Sequence, residues 1–163
     1  MEYTYLEAER VAMEYDTRNP YELLECIGAH LEISYAYTAD GLKGFSAIFN
    51  RTMYALVNGK LNEHEQRIVA GHEEAHLILH KAEILQYPGQ TMRDFELYSE
   101  TSRLEYQANH FLADFLVSDE QVLDVASGKR LGYFHTASAL YMPPPLLAFK
   151  LHSMIERGLS LWR

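Results

Sequence analysis

The stretch Gly71-His72-Glu73-Glu74-Ala75-His76-Leu77-Ile78-Leu79-His80 sets three histidines at four-residue intervals, with a glutamate directly after the first. On a helix, His72 and His76 leave the same face about 6 Å apart along the axis. That separation suits two ligands on one metal ion. Glu73 projects about 100° away from His72, beside the pair but not in line with it. From there it can take a proton from water at the metal, which is the mechanical sense of H-E-x-x-H on a helix. The competing reading is a solvated polar face, because Glu63, His64, Glu65 and Glu74 share the segment. Against it, His72 falls in line with Ile68, Ala75 and Leu79, and Gly71, costly in a helix interior, marks a close approach.

The rest of the chain supplies the frame. Asn62 with Glu65 has capping-box spacing and starts the helix, and Tyr87-Pro88-Gly89 stops it. Upstream, ISYAY, GFSAIF and TMYALV are short, β-branched and aromatic, and predict three strands of a small antiparallel sheet packed on the histidine helix. A helix is expected over 3–16, with Leu6, Val11 and Met13 apolar, and a second from Pro20 to about Leu31. Downstream, a helix over 99–116 presents Leu104, Ala108, Phe111 and Phe115. Ser118 with Gln121 caps a short helix that stops at Gly128, and a last helix runs from the prolines at 143–145 to Gly158. No repeat or linker divides the chain. The expected fold is α+β, a single domain over 1–163, with a catalytic core at 1–117 and a helical part at 118–163.

A chain of 163 residues, 48% hydrophobic, can bury a substantial core. Its formal charge of −9 argues against direct nucleic-acid binding, because a phosphate backbone wants the opposite sign. The acidic N-terminus lacks a secretory signal pattern, and no apolar run approaches a membrane span. The lone Cys26, inside YELLECIGAHL, is expected to be a buried, reduced structural thiol, which indicates the cytoplasm.

Two histidines leave a metal in need of a third ligand. His80 lies one turn too far along and is expected to support a ligand or to pack. The H-E-x-x-H-x-x-G-x-x-H arrangement is absent, since positions 79 and 82 are Leu and Ala. Glu105, in LEYQANHFLADFL, is the best candidate, on a helix that can return across the first. Asn109, one turn on, can orient a ligand histidine through its other ring nitrogen. Ser102 and Glu105 also fit an ordinary capping box, and Glu96, Glu100 and Asp114 are rival carboxylates.

HEEAHLILH followed by EYQANHFLADFLV resembles the ImmA/IrrE family of metallopeptidases, whose pattern is H-E-x-x-H-x-x-x-H and then E-x-x-A-N with an apolar run. The resemblance implies a zincin-like fold, with His72, His76 and Glu105 as Zn2+ ligands and Glu73 as general base. It also implies a cytosolic protease, often from a phage or integrative element, that cleaves a helix-turn-helix repressor. Glu74 and Ala75 depart from the family, which often has an apolar residue and Gly there; Glu74 is expected to add charge near the site. Tyr106, His110 and His135 are possible oxyanion donors. TMYALV, if it is a sheet edge, could bind substrate by strand addition. Two rivals use the same residues: a metal-containing protein that sequesters a repressor without cleaving it, and an iron oxygenase with two His and one carboxylate.

Overall fold

The computed structural model describes residues 2–129 and 132–160. The chain is α+β and divides into two compact units. One is Asn19–Ala108; the other joins the residues up to Arg18 with those from Asn109 onward.

The first unit carries the sheet. Helix α2 (Pro20–Cys26) starts at Asn19, whose side chain accepts from the Tyr21 N–H with Pro20 in the first turn. It stops well before the expected Leu31. Gly28 takes the left-handed conformation (φ 77°), and the Ala29 N–H closes the end on the Leu24 carbonyl at 2.9 Å. Cys26 is exposed, contrary to the buried thiol expected. Leu23 and Leu24 occupy the inner face, and Cys26 lies about 110° round the helix from their midpoint.

The sheet is mixed rather than antiparallel, with four strands in the order β1-β3-β2-β4. β1 (His30–Ser34) runs parallel to β3 (Thr52–Asn58); β2 (Gly44–Phe49) is antiparallel to both β3 and β4 (Thr91–Asp94). β2 and β3 form a hairpin through Asn50 and Arg51, both at positive φ (48° and 64°), which suits the strand twist. A simple meander would have placed β2 in the middle. Instead Asn58 holds the 38–43 loop across the end of β3: its amide donates to the Thr38 and Leu42 carbonyls at 2.8 and 2.9 Å, and its backbone N–H to that of Lys43. TMYALV is therefore a central strand, and the edges are β1 and β4.

Helix α3 (Glu63–Leu79) packs on β2 and β3 and against α2. Asn62 caps it by accepting from the Glu65 N–H at 2.8 Å. Only its first turn is exposed, and every residue from Ile68 to Leu77 is buried. A helix buried all round needs core on several sides. Here Val69, Ala70 and Leu77 join Leu24, Ile48, Val57, Ile84 and Met92 in one cluster. The closest approach is at Gly44, where an added Cβ would lie 2.6 Å from Val69 Cγ1 and 3.0 Å from Glu73 Oε1. The expected uninterrupted helix to residue 86 breaks at His80 (φ −125°, ψ 32°), and α4 (Lys81–Gln86) leaves in a new direction. The Tyr87-Pro88-Gly89 turn then returns the chain to the sheet as β4, a strand that its four polar-rich residues did not announce.

In the second unit, α1 (Glu2–Tyr15) buries Thr4, Ala8, Val11 and Ala12 and leaves the apolar Leu6 and Met13 exposed. The small residues allow close packing and set the inner face one step away from the larger apolar ones. Helix α5 (Arg103–Leu116) begins in the first unit and ends in this one, with Phe111 and Phe115 fully buried. Ser118 and Gln121 cap α6 (Asp119–Lys129) reciprocally. An unanticipated α7 (Tyr133–Ala139) precedes α8 (Pro144–Glu156). The buried Lys150 ammonium pairs with Asp114 and Asp119 at 3.0 and 2.8 Å, Ser153 donates to Asp114, and Arg157 adds a bond to Asp119 and covers the Tyr5 ring. Among the described residues no helix is long and apolar enough to cross a membrane.

Candidate metal centre

Helix α3 brings His72 and His76 to one face, β4 supplies Asp94, and the first turn of α5 supplies Glu105; all four are in the first unit. The Nε2 atoms of the two histidines are 3.1 Å apart. Glu105 spans both, with Oε2 3.0 Å from His72 Nε2 and Oε1 3.0 Å from His76 Nε2. Asp94 Oδ2 lies 3.6 and 3.7 Å from the same two nitrogens. Tetrahedral N/O ligands at zinc distances have edges of about 3.3 to 3.4 Å. The four donors fit one small cation on that measure, and their chemistry fits it too: facing imidazole lone pairs repel unless something positive sits between them.

The local electrostatics tell the same story. Burial disfavours the His72 imidazolium, yet Asp94 and Glu105 outweigh it and carry the ring up to about 10. Burial also disfavours the Glu105 carboxylate, but hydrogen bonds and charge from His72 and His76 hold it well below the usual carboxylate range. Without metal, a proton supplies the positive charge that the donors demand. Glu73 is fully buried, and neither of its oxygens has a hydrogen-bond partner. Burial first, then the neighbouring Asp94 and Glu105, push its carboxyl well up, with Ser46 the opposing influence. A buried acid whose affinity for protons has been raised is suited to proton transfer.

A chain of contacts runs outward from His76. Its Nδ1 is 2.9 Å from His80 Nδ1, and His80 Nε2 is 2.9 Å from Gln107 Oε1, an oxygen that also faces the Arg103 guanidinium. The carbonyl oxygen can only accept, so His80 carries its proton on Nε2. Neutral His80 then accepts at Nδ1 from His76 Nδ1–H, leaving a lone pair on His76 Nε2, the atom in the cluster. Burial lowers the His80 pKa and keeps that ring neutral.

The helix break at His80 is thus where the supporting histidine turns towards α5. Ser102 does cap α5, its hydroxyl accepting from the Glu105 N–H at 3.1 Å, while the Glu105 carboxylate turns to the histidines. Glu96 and Glu100 are exposed, and Asp114 is held by Lys150 and Ser153. Glu74 is also buried with neither oxygen partnered, and burial pushes its carboxyl well up. Burial therefore opposes the charge expected of it. Of the three proposed oxyanion donors, Tyr106 is in the unit that holds the cluster; His110 and His135 belong to the other. Asp94 and Gln107 went unread. Asp94 lies in a strand with no alternating signature, and Gln107 is one polar residue among several on α5.

A cleft of about 340 Å³ opens beside the cluster, lined by Tyr87, Arg93, Asp94, Phe95, Leu104 and Glu105. Its floor is the edge strand β4, and Phe95 and Tyr87 are exposed at it. No solved structure matches this chain. It is 30% identical over 119 residues to "Uncharacterized immunity region protein 2" of Bacillus phage phi105, covering 72% of this chain and 71% of that one. Residues 32–152, which include strands β2, β3 and β4 and all four clustered side chains, match the IrrE N-terminal-like domain, and the chain therefore belongs to the Peptidase_M78 family of metal-dependent peptidases.

Proposed function

We propose that this protein is a cytoplasmic zinc endopeptidase that hydrolyses a peptide bond in a helix-turn-helix repressor. The observation that carries the reading is Glu73: a fully buried carboxyl beside a cluster of four side chains suited to hold one metal ion. In this reading His72, His76 and Glu105 hold zinc. Bound there, zinc supplies a Lewis acid and makes water acidic enough to lose a proton near neutrality. Glu73 accepts that proton and later delivers it to the leaving amine. Gly44 lets the sheet approach Glu73 closely enough to exclude bulk water on that side. Strand addition moves from β3 to β4, whose outer edge pairs with no strand among the described residues and would take an extended substrate. The immunity-region name of the phage relative supports a repressor as substrate. The organisation proposed is one metallopeptidase domain over 1–163, with a catalytic core at 1–117 and a helical part at 118–163.

The experiment is to incubate wild type and Glu73→Gln with the repressor encoded nearby and follow cleavage by gel and mass spectrometry. Glutamine preserves volume but cannot take the proton. Cleavage should fall about 10²- to 10⁴-fold while zinc content stays the same. Unchanged cleavage in Glu73→Gln sinks the mechanism. Repressor inactivation by both proteins without cleavage establishes sequestration instead.

A further inference from the structure

We propose that Asp94 is a fourth protein donor to the metal, so that the resting site is coordinatively closed and opens only when Asp94 withdraws. The inference rests on the metal-site reading above and adds a regulatory state to it.

Strand alternation puts Asp94 on the same face of β4 as the buried Met92, towards α3, while Arg93 points to the other side and is exposed. The Asp94 side chain is only 8% exposed, and its Oδ2 has no hydrogen-bond partner. A buried carboxylate oxygen without a partner is costly. This one is aimed into the space between His72 Nε2 and His76 Nε2, 3.6 and 3.7 Å away. Those separations are close to tetrahedral edges, so Asp94 stands where a fourth ligand belongs. Sites with four protein donors are structural, whereas hydrolytic sites keep a position for solvent. With Asp94 in place, Glu73 faces a second carboxylate instead of the solvent it would activate.

The strand that carries Asp94 is suited to release it. β4 has four residues and, among the described residues, pairs with a strand on one side only, β2. Asp94 is its last residue, held there by the Lys43 N–H donating to its carbonyl at 2.8 Å. The chain from Phe95 to Ser102 is neither helix nor strand and lines the cleft. The other three donors sit on helices, α3 and α5. Asp94 is therefore the ligand on the least constrained element, beside the groove where substrate would lie.

The test compares wild type, Asp94→Asn, Asp94→Ala and His72→Ala in two ways. Zinc affinity is measured by competition with a chromogenic chelator, and solvent access to Co2+ by 17O-water broadening of its electron paramagnetic resonance. Circular dichroism checks that each variant folds, and the asparagine preserves shape if the alanine does not. Wild-type cobalt protein should show no broadening. Asp94→Asn or Asp94→Ala should gain it, bind zinc at least about 10-fold more weakly, and cleave an unstructured peptide faster. Broadening already present in wild type, with unchanged zinc affinity in the Asp94 variants, overturns the proposal but leaves the metallopeptidase reading standing. A wild type that binds no metal, or a His72→Ala protein that binds it equally well, overturns both.

Discussion

His80 stands directly behind His76: their Nδ1 atoms are 2.9 Å apart, and this contact leaves the His76 lone pair on the nitrogen that faces Glu105. The relay ends on Gln107, which therefore sets a tautomer two residues away from itself in the chain of contacts. His80→Ala should weaken zinc binding about 10- to 100-fold, the usual effect of an outer partner, without abolishing it. Gln107→Leu should act in the same direction but less strongly, because His80 can then give its proton to water. Chelator competition measures both. A His80→Ala protein with wild-type affinity would show that the contact is packing alone.

Removing a donor itself should cost more. His72→Ala and His76→Ala should each lose most of the zinc, and Glu105→Ala should lose far more than Glu100→Ala. Glu105 lies 3.0 Å from both ring nitrogens, whereas Glu100 is exposed. Zinc content after gel filtration is the measurement. Equal losses for the two glutamates would mean that Glu105 is not a ligand.

The pattern of what could be read from the sequence follows physical range. The α3 histidines were legible because helical spacing is local: once Asn62 caps the helix, His72 and His76 must share a face. Glu105 could be singled out because it lies beside the apolar face of an amphipathic helix, although Ser102, which does cap that helix, offered the competing reading. The sheet order was not, because it depends on Asn58 reaching the Thr38 and Leu42 carbonyls, contacts 16 to 20 residues away that leave no periodic trace. Asp94 was missed for a related reason. Its strand is identified by pairing with Gly44, not by its own residues. Cys26 went wrong by rotation: Leu23 and Leu24 hold the inner face of α2 and leave the thiol outside it.

Acid should destabilise the second unit in two stages. Burial, then the charge of His152, hold His110 down at about 4. For Asp119, burial is outweighed by Arg157 and Lys150, which hold it down at about 2. Unfolded His and Asp titrate near about 6.5 and 3.9, so below those values the unfolded chain binds more protons. The His110 contribution is present above pH of about 6.5 and is lost as pH falls through about 4; the Asp119 contribution is present above about 3.9 and is lost as pH falls through about 2. In urea titrations with chelator present, His110→Phe should flatten the first window relative to wild type and Asp119→Asn the second. An unchanged slope in His110→Phe between pH 6 and 4 would show that the buried ring does not titrate low.

Glu74 provides the opposite sign. It is fully buried on α3, neither carboxyl oxygen has a hydrogen-bond partner, and burial pushes its pKa well up. An unsatisfied buried polar group costs about 1 to 3 kcal/mol, and an apolar residue of similar size removes that cost. Glu74→Leu should therefore stabilise the metal-free protein by about that amount. Because the folded pKa lies above the unfolded one, the folded chain holds the extra proton above pH of about 4.5, and wild-type stability falls as pH rises beyond it. The advantage of Glu74→Leu should accordingly grow from pH 5 to pH 8. Urea midpoints of both proteins at those two pH values measure it, with zinc content of the variant as a check on the neighbouring histidines. A variant less stable than wild type at pH 8 would mean that the Glu74 carboxyl finds a partner in solution and stabilises the fold.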